Sequence, residues 1–338
     1  MDKILTVVIP TYNMEQYLRK CLDSLIIDNQ ELFNMLEVLV VNDGSKDSSS
    51  SIAHEYQDKY PNVFRVIDKE NGNYGSCINR GIKEATGMYF KILDADDSFS
   101  KKGLSELLSY LKDSDMELCV TSYSTIDEDG NKLSDICVPN QLHNSIFNTD
   151  ELSWVDQFPR FLLSMHAFCV KRSVLTGNNY KQQEGISYTD TEFNYFSLLY
   201  SQKVVFLNYL VYNYLLGREG QTMSPSAAAK SSSNYYKVGK RLMDDYMTRK
   251  ISDNKRKNIL IPIKNVVSSF FYTELFIKKR KEICYKELND FIDNINRCNI
   301  NISDFEFHGL KYVKLYKKFG MSFHWLYILY RKIKRCVS

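Results

Sequence analysis

Three carboxylates lie within four positions of one short segment, the Ile-Leu-Asp-Ala-Asp-Asp-Ser stretch at residues 92–98. Asp94, Asp96 and Asp97 follow an apolar run, and like charges this close repel one another unless a cation neutralises them. A divalent metal with oxygen ligands, shared with a phosphorylated substrate, would provide that neutralisation. The alternative is a solvated acidic loop, which is how most carboxylates occur.

The elements around this segment predict how its carboxylates are positioned. Four apolar runs are interpreted as strands, at residues 5–9, 36–41, 64–67 and 89–93. Strands without polar alternation, each followed by a helical pattern, indicate a parallel sheet covered on both faces. Right-handed crossovers place the carboxyl ends of such strands along one edge, where open α/β sheets bind ligands. Thr11, Asp43 and the three aspartates are therefore expected at a single cleft.

Helices are predicted between and after these strands. Asn13, with Gln16 three positions later, predicts the cap of the first helix. Helical patterns at 76–85 and 104–111 continue the alternation with strands. Residues 230–338 are predicted to be mainly helical and are rich in Lys, Tyr and Phe.

The composition is typical of a folded soluble protein, with 44% hydrophobic and 25% charged residues in a chain of 338. The net charge of +3 indicates no general role in nucleic-acid binding. The eight cysteines contain no Cys-x-x-Cys pair, and no basic leader precedes the first strand. No run reaches the roughly 18 uninterrupted apolar residues of a membrane span. We therefore expect reduced thiols and a cytosolic chain.

The turn after the first strand argues against two common nucleotide-binding motifs. That strand is followed by Pro-Thr-Tyr-Asn at 10–13, whereas a dinucleotide-binding turn needs Gly-x-Gly-x-x-Gly. A Walker loop is also absent from the sequence. A bound nucleotide must therefore be held mostly by side chains and a metal.

Four motifs occur in order: Val-Val-Ile-Pro-Thr-Tyr-Asn at 7–13, Val-Val-Asn-Asp-Gly-Ser at 40–45, Asn-Gly-Asn-Tyr-Gly-Ser at 71–76 and Leu-Asp-Ala-Asp-Asp at 93–97. Together they resemble the nucleotide-sugar domain of family 2 glycosyltransferases. The resemblance implies an α/β fold of the GT-A class, with a Rossmann-like, mostly parallel central sheet flanked by helices. It places a nucleotide-sugar-binding and catalytic domain at 1–222. A helical C-terminal extension, at the membrane surface or near the acceptor, is then expected at 223–338.

The resemblance also implies roles for individual residues near the nucleotide. Thr11 and Tyr12 would line the base and ribose pocket, and Asp43 would accept a hydrogen bond from the pyrimidine N–H. A turn-forming Asp before Gly is the alternative for Asp43. Gly72 and Gly75 would allow the backbone to approach the nucleotide closely, and a plain turn is the alternative for them.

The aspartate cluster matches the family's Asp-x-Asp metal motif. By resemblance, Asp96 would approach the ribose or the metal, and Asp97 or Asp94 would complete the metal and diphosphate site. Mn²⁺ or Mg²⁺ fits these oxygen ligands. Arg218 follows a strand-like run and would pair with the diphosphate, since a guanidinium matches phosphate oxygens. A solvated surface arginine is the alternative.

The segment around Asp190 is similar to the family's Glu-Asp motif at the start of a helix, with Thr189 in place of Glu. Asp190 would be the general base that accepts the acceptor's hydroxyl proton. Glu192 is the competing base, and an aspartate favoured only by the helix dipole is the structural alternative. His166 is interpreted as a core or rim residue, although acceptor-side residues occur near this position in relatives.

The predicted function is that of a metal-dependent inverting glycosyltransferase of the hexosyltransferase type. The donor would be a nucleotide diphosphate sugar, by resemblance a UDP-sugar. The acceptor would be a saccharide or a lipid-linked precursor in bacterial surface polysaccharide biosynthesis. A nucleotidyltransferase and a non-catalytic assembly partner with the same fold are the alternatives. No nucleic-acid partner is expected.

From Phe307 onward the chain has eight Lys or Arg and no Asp or Glu. These basic residues flank apolar and aromatic side chains, among them Phe319 and Trp325. A basic amphipathic segment of this kind can lie on an anionic membrane surface. The alternative is a helix that packs on the catalytic domain with a solvated basic face. The expected location is the cytoplasm, peripherally at the inner face of the cell membrane.

Overall fold

The computed structural model describes residues 2–151, 153, 164–218, 224–300 and 309–329. Two compact units divide the chain. Unit 1 comprises Met1–Arg218 and Ser252–Asn258, and unit 2 comprises Glu219–Ile251 and Ile259–Ser338. The functional division at 222, into a catalytic domain and an extension, stays a prediction.

The strands of unit 1 form one mixed sheet. They are β1 (Leu5–Thr11), β2 (Leu36–Asn42), β3 (Phe64–Asp68), β4 (Tyr89–Ile92), β5 (Ser98–Phe99), β6 (Leu118–Ile126), β7 (Lys132–Ile136), β8 (Ile146–Asn148), β9 (Phe168–Lys171) and β10 (Lys203–Leu215). The main order is β3-β2-β1-β4-β9-β6-β10-β5, while β7 pairs with β6 and β8 pairs with β10. Strands β1 to β4 are mutually parallel, as predicted, and β6 is parallel to β10. Strand β9 runs antiparallel to both of its neighbours, β4 and β6.

The sheet places the predicted site residues at one edge because its central strands are in parallel register. Every residue of β2 and β6 is buried, as expected for strands covered on both faces. Thr11 at the end of β1 is opposite Asn42 at the end of β2, and Val8 is opposite Ile92. The residues that follow β1, β2 and β4 therefore share one edge of the sheet.

Helices cover this sheet. They are α1 (Leu18–Asp23), α2 (Gln30–Asn34), α3 (Ser49–Lys59), α4 (Asn73–Glu84), α5 (Lys101–Leu111), α6 (Arg172–Gly177) and α7 (Asp190–Tyr200). The predicted helices at 76–85 and 104–111 correspond to α4 and α5. The predicted cap at Asn13 is wrong, because α1 begins at Leu18 and Asn13 has a φ of 53°. The Asn13 side chain instead accepts a hydrogen bond from the Lys46 N–H at 2.8 Å.

Unit 2 is helical in its described part, as predicted. The α-helices after residue 224 are α8 (Pro225–Lys230), α9 (Ser232–Thr248), α10 (Asp253–Tyr272), α11 (Tyr285–Arg297) and α12 (Gly309–Phe319), and residues 324–329 are also helical. The first residues of α10, up to Asn258, belong to unit 1. In the core of unit 2, Phe270 and Phe291 pack edge to face with ring centres 4.8 Å apart. Among the described residues, the segment Asp253–Ile277 is long and apolar enough to cross a membrane by length and composition. However, 61% of its most apolar window is buried inside the chain.

Candidate functional site

Two aspartates after β4 are fixed by hydrogen bonds from tyrosines. Asp97 is buried, and its carboxylate accepts hydrogen bonds from the Tyr212 hydroxyl at 2.5 Å and from the Leu215 N–H at 2.7 Å. Asp94 is half-buried and accepts a hydrogen bond from the Tyr74 hydroxyl at 2.8 Å. Strand β10 and helix α4 therefore hold two of the three predicted metal ligands in place.

The third aspartate, Asp96, forms an ion pair with Arg218. The Arg218 Nε donates to the Asp96 carboxylate, and only 14% and 12% of the two side chains, respectively, is exposed. The guanidinium carbon lies 5.5 Å from the centre of the Tyr17 ring. The sequence predicted a ribose or metal contact for Asp96 and a diphosphate contact for Arg218. Any such ligand must compete with this ion pair.

Burial and mutual repulsion disfavour ionisation of the aspartate cluster. Burial raises the pKa of Asp94 to about 7, and the charge of Asp96 adds to this effect. Burial, followed by the charges of Asp96 and Asp94, raises the pKa of Asp97 well above its usual range. A cation would remove this repulsion, so the cluster has the electrostatic character of a cation site.

His166 lies beside these aspartates, although it is distant from them in sequence. One ligand atom each of Asp94, Asp97 and His166 lies within 4.8 Å of the other two. The topology explains this proximity. Strand β9 is antiparallel to β4, so the turn that precedes β9 lies at the same edge of the sheet as the residues that follow β4.

The His166 ring is held in one orientation by its neighbours. Its Nδ1 lies 2.7 Å from the Ser164 Oγ, and its ring stacks on Tyr214 with centres 4.4 Å apart. Burial, with a smaller effect of the charge of Lys91, lowers the pKa of His166 to about 3. The imidazole is therefore neutral near pH 7, and neutral imidazole is the form that binds metals.

The group Asp94, Asp97 and His166 fits a divalent cation by its donor chemistry. Two carboxylates and one imidazole suit an ion such as Mn²⁺. At metal sites, the ring nitrogen that does not bind the metal usually forms a hydrogen bond that orients the imidazole, as the Ser164 Oγ would do here. The predicted ligands were Asp94, Asp96 and Asp97. In the structure Asp96 forms an ion pair with Arg218, and His166 lies beside the other two aspartates. A metal contact by Asp96 stays a prediction. The interpretation of His166 as a core or rim residue missed this proximity.

Asp190 begins helix α7, as the predicted motif requires. Burial raises its pKa, while the N–H groups of Thr191 and Asp190 itself act in the opposite direction. The charge of Asp190 also contributes to the raised pKa of Asp94 and of the Tyr74 hydroxyl, so this carboxylate is near the cluster. The competing residue Glu192 is fully buried and accepts a hydrogen bond from the Gln183 N–H at 2.9 Å. The charge of Asp190 thus acts on Asp94 and Tyr74, whereas the Glu192 carboxylate is engaged by the backbone of the preceding loop.

Asp43 anchors the start of helix α4. Its carboxylate accepts hydrogen bonds from the N–H groups of Gly72 and Asn73, both at 2.9 Å, and from the Lys69 ammonium. A carboxylate at a helix N-terminus is stabilised by the helix dipole. At Gly72, a Cβ would lie 2.7 Å from the Ser76 Oγ. A base contact by Asp43, which stays a prediction, would need a further donor on a carboxylate that already accepts three.

Gly75 is required by packing. A Cβ on this residue would lie 1.9 Å from the carbonyl oxygen of Gln183, in the loop that leads to α7. Asn79, one turn further along α4, donates to the Gln182 carbonyl at 2.9 Å. Close packing against the Gln183 carbonyl therefore explains a glycine at position 75 without any nucleotide contact.

Thr11 and Tyr12 differ in exposure at the end of β1. Thr11 is buried, and its hydroxyl donates to the Ile9 carbonyl at 3.1 Å. Tyr12 is 46% exposed. Of the two, Tyr12 offers the larger accessible surface to a ligand.

A buried lysine lies behind the site, and sequence reasoning missed it. Lys91, within β4, has no exposed surface, and its Nζ donates to the carbonyl oxygens of His166 at 2.7 Å and Phe168 at 3.1 Å. The Nζ also lies 5.7 Å and 5.8 Å from the ring centres of Phe99 and Tyr212. Burial lowers the pKa of Lys91 to about 8. A lysine in the middle of a buried apolar run was the signal that could have found it.

Comparison with known proteins begins with the family model described as Glycosyl transferase family 2, which matches residues 6–175. The chain is 43% identical over 109 residues to the uncharacterized glycosyltransferase MG025 of Mycoplasma genitalium, which covers 32% of this chain and 36% of that protein. It is 27% identical over 221 residues to the glycosyltransferase GlyG of Streptococcus pneumoniae, which covers 63% and 71%, respectively. The minor teichoic acid biosynthesis protein GgaB of Bacillus subtilis is 36% identical over 118 residues, 35% of this chain and 13% of that protein. The matched segments span about a third of the length of MG025 and of its Mycoplasma pneumoniae homolog.

Two solved structures share the fold. The crystal structure of S. aureus TarS 1-349 in complex with UDP-GlcNAc has a TM-score of 0.67 at 20% identity and covers 94% of this chain and 92% of that one. The mannosyltransferase PcManGT from Pyrobaculum calidifontis, in complex with GDP-Man and Mn²⁺, has a TM-score of 0.54 at 14% identity and covers 93% and 81%. At these identities the likeness shows the fold, and it confirms the predicted fold class.

Proposed function

Because the chain belongs to glycosyl transferase family 2, as predicted, we propose that it transfers a sugar from a nucleotide diphosphate donor to an acceptor hydroxyl. The observation that carries this proposal is the group Asp94, Asp97 and His166, together with Asp190 at the start of α7, whose charge acts on Asp94. That arrangement combines a site suited to a cation-bound diphosphate with a proton acceptor beside it.

The proposed donor is a UDP-sugar, as expected for a hexosyltransferase. TarS, whose fold this chain shares, has been solved with UDP-GlcNAc and with UDP. The exposed Tyr12 ring at the end of β1 could stack on a base. The diphosphate would displace Asp96 from Arg218 and pair with the guanidinium in its place.

Asp94, Asp97 and His166 would hold a divalent cation, Mn²⁺ or Mg²⁺. When bound, such an ion would stabilise the negative charge that develops on the leaving diphosphate. The Tyr74 and Tyr212 hydroxyls would keep the two aspartates oriented, since each donates to one of them. PcManGT, of the same fold, was solved with Mn²⁺.

In the proposed reaction, Asp190 takes the proton from the acceptor hydroxyl. The hydroxyl oxygen forms a bond to the anomeric carbon as the bond from that carbon to the diphosphate oxygen breaks. The proton ends on the Asp190 carboxylate, and the electron pair of the broken bond ends on the diphosphate. This single displacement inverts the anomeric centre. A raised pKa makes Asp190 a more effective proton acceptor near neutral pH than an ordinary aspartate.

The proposed acceptor is a hydroxyl of a saccharide or of a lipid-linked precursor of a surface polysaccharide. One relative, GgaB, is named for minor teichoic acid biosynthesis. We place the reaction in the cytoplasm, at the inner face of the membrane, where such an acceptor and a nucleotide sugar would meet.

A donor screen tests this proposal. The full chain is incubated with UDP-GlcNAc, UDP-glucose, UDP-galactose or GDP-mannose, with Mn²⁺, Mg²⁺ or a chelator, and release of nucleoside diphosphate is measured. We expect release from a UDP-sugar, dependence on the ion, and loss of release in Asp97→Asn. The matched control Asp58→Asn alters an exposed aspartate on α3 and should behave like the wild type.

Two results would contradict the proposal. Release of a sugar 1-phosphate, with attachment of the nucleoside monophosphate to an acceptor, would assign a nucleotidyltransferase. Failure to bind or turn over any donor, in a chain shown to be folded by circular dichroism, would assign a non-catalytic partner.

A further inference from the structure

The end of the described chain carries an apolar surface that the fold leaves exposed. Among the described residues, twelve large hydrophobic side chains are exposed, and five of them lie within eleven positions. These five are Phe319 (58% exposed), Met321 (45%), Trp325 (61%), Ile328 (42%) and Leu329 (49%). Single exposed apolar residues are ordinary, whereas several concentrated in one short segment indicate an interaction site.

The opposite side of the same segment is anchored within unit 2. Phe323 is buried, and its ring centre lies 5.5 Å from that of Phe276 and 4.8 Å from that of Tyr312. Its backbone N–H donates to the Leu275 carbonyl at 2.7 Å, and the His324 Nδ1 lies 3.0 Å from the Phe276 carbonyl oxygen. The exposed side chains therefore belong to a packed segment that presents one apolar side outward.

Cationic side chains precede this apolar group on α12. Lys314, Lys317 and Lys318 on α12 are exposed, and the Lys318 Nζ lies 5.0 Å from the centre of the Phe319 ring. The sequence has no Asp or Glu from Phe307 onward. The combination of exposed aromatic and aliphatic side chains with lysines complements a lipid surface that bears anionic phosphates.

We propose that these eight residues form a membrane-contact surface that binds bilayers containing anionic lipids. It is defined by Lys314, Lys317, Lys318, Phe319, Met321, Trp325, Ile328 and Leu329. The apolar side chains enter the boundary between headgroups and acyl chains, while the lysine ammonium groups stay at the phosphates. The contact is peripheral, since the long apolar segment Asp253–Ile277 is mostly buried inside the chain. The proposal does not depend on the transfer reaction, although it would bring the enzyme to a lipid-linked acceptor.

Vesicle binding by the full chain tests the membrane-contact surface. Wild-type protein is co-sedimented with vesicles of phosphatidylglycerol and phosphatidylcholine, or of phosphatidylcholine alone, at low and high salt. We expect binding to the anionic vesicles only, weakened by salt. The chain has two tryptophans, so Trp154→Phe leaves Trp325 as the sole reporter. Its fluorescence should shift to shorter wavelength as anionic vesicles are added.

Matched variants separate the contribution of position from that of charge. Replacement of Lys314, Lys317 and Lys318 by Gln should weaken binding about a hundredfold, because each near-surface lysine contributes to lipid attraction. Replacement of Lys83, Lys101 and Lys281 by Gln removes the same charge from exposed positions elsewhere and should have little effect. Trp325→Ser with Ile328→Ser should also weaken binding, whereas Leu133→Ser with Ile146→Ser should not.

Three outcomes would overturn the proposal. Equal binding to both vesicle types, or equal loss in the two lysine triples, would show that this surface does not recognise anionic lipid. Concentration-dependent dimers that bury Trp325, together with no vesicle binding, would assign the surface to a second copy of the chain. The wild-type comparison between vesicle types does not require any variant to fold.

Discussion

The Lys91 Nζ lies 2.7 Å from the carbonyl oxygen of His166, so a buried cation directly supports the turn that carries the imidazole. Strand β4 thus makes two contributions to the candidate site. Asp94 and Asp97 follow its carboxyl end, and the lysine within it holds the backbone of the facing segment. The hydrogen bonds of Lys91 join β4 to the start of β9. A substitution at Lys91 should therefore affect the site without altering any of the proposed metal-binding side chains.

Lys91→Met should lower both stability and metal affinity. It leaves the carbonyl oxygens of His166 and Phe168 without their donor, and a buried unsatisfied polar group costs about 1–3 kcal/mol. We expect a lower free energy of unfolding in urea and weaker Mn²⁺ binding by calorimetry. Lys83→Met, at an exposed position on α4, is the control. Unchanged Mn²⁺ affinity in Lys91→Met would restrict the lysine to a stabilising role.

His166→Ala should weaken Mn²⁺ binding at least about tenfold, since it removes the nitrogen donor of the group. Electron paramagnetic resonance of free Mn²⁺ measures this without turnover. His54→Ala is the control, because His54 forms an exposed pair with Asp68. If the two variants bind Mn²⁺ equally well, the imidazole is not a ligand.

Asp190→Asn should lower the rate of sugar transfer by about 10²- to 10⁴-fold and leave UDP affinity unchanged, because the carboxylate acts on the acceptor hydroxyl. Glu192→Ala should retain most of the rate but unfold at a lower temperature, since it removes the carboxylate that accepts a hydrogen bond from the Gln183 N–H. Acceptor kinetics, UDP calorimetry and thermal melting distinguish the two. The opposite pattern would make Glu192 the base.

The transfer rate should depend on pH through Asp190. The proton acceptor is the ionised carboxylate, and burial raises the pKa of this group. As pH falls through that raised pKa, the base becomes protonated and kcat/KM declines, at a higher pH than for an ordinary aspartate. A kcat/KM that stays constant down to about pH 4, below which even an ordinary aspartate would titrate, would argue against this base.

Gly75→Ala should destabilise the protein by about 1–3 kcal/mol, because its Cβ would lie 1.9 Å from the Gln183 carbonyl oxygen and force the backbone to shift. Gly177→Ala is the matched control. Among the described residues, apart from its chain neighbours and its own helix backbone, no atom lies within 4 Å of that Cβ position. The effect should therefore stay within about 1 kcal/mol. Chemical denaturation of both variants measures the difference. Equal stabilities would contradict the close approach.

Short sequence patterns were sufficient to predict the parallel part of the sheet. The continuous apolar runs at 36–41 and 89–93 could be assigned to a parallel sheet because strands buried on both faces lack polar alternation. The same reasoning placed the aspartates at the edge of that sheet. The cap predicted at Asn13 failed because its side chain bonds to the Lys46 N–H, a partner from the next loop.

The position of His166 could not be predicted for a different reason. Its proximity to Asp94 depends on β9 being inserted antiparallel between β4 and β6. Strand direction over such a sequence separation is set by the packing of the whole sheet, and no short motif encodes it. The ion pair of Asp96 with Arg218 is a long-range contact of the same kind.

The ion pair between Asp96 and Arg218 affects which ligands can bind at the site. An anion that displaces Asp96 from Arg218 leaves a carboxylate without its partner, and a cation that captures Asp96 leaves the guanidinium without one. A solute that brings both charges together satisfies the two groups at once. The site would thus bind free phosphate and free metal ions more weakly than it binds a metal–phosphate complex. The ion pair would therefore favour ligands that carry both charges.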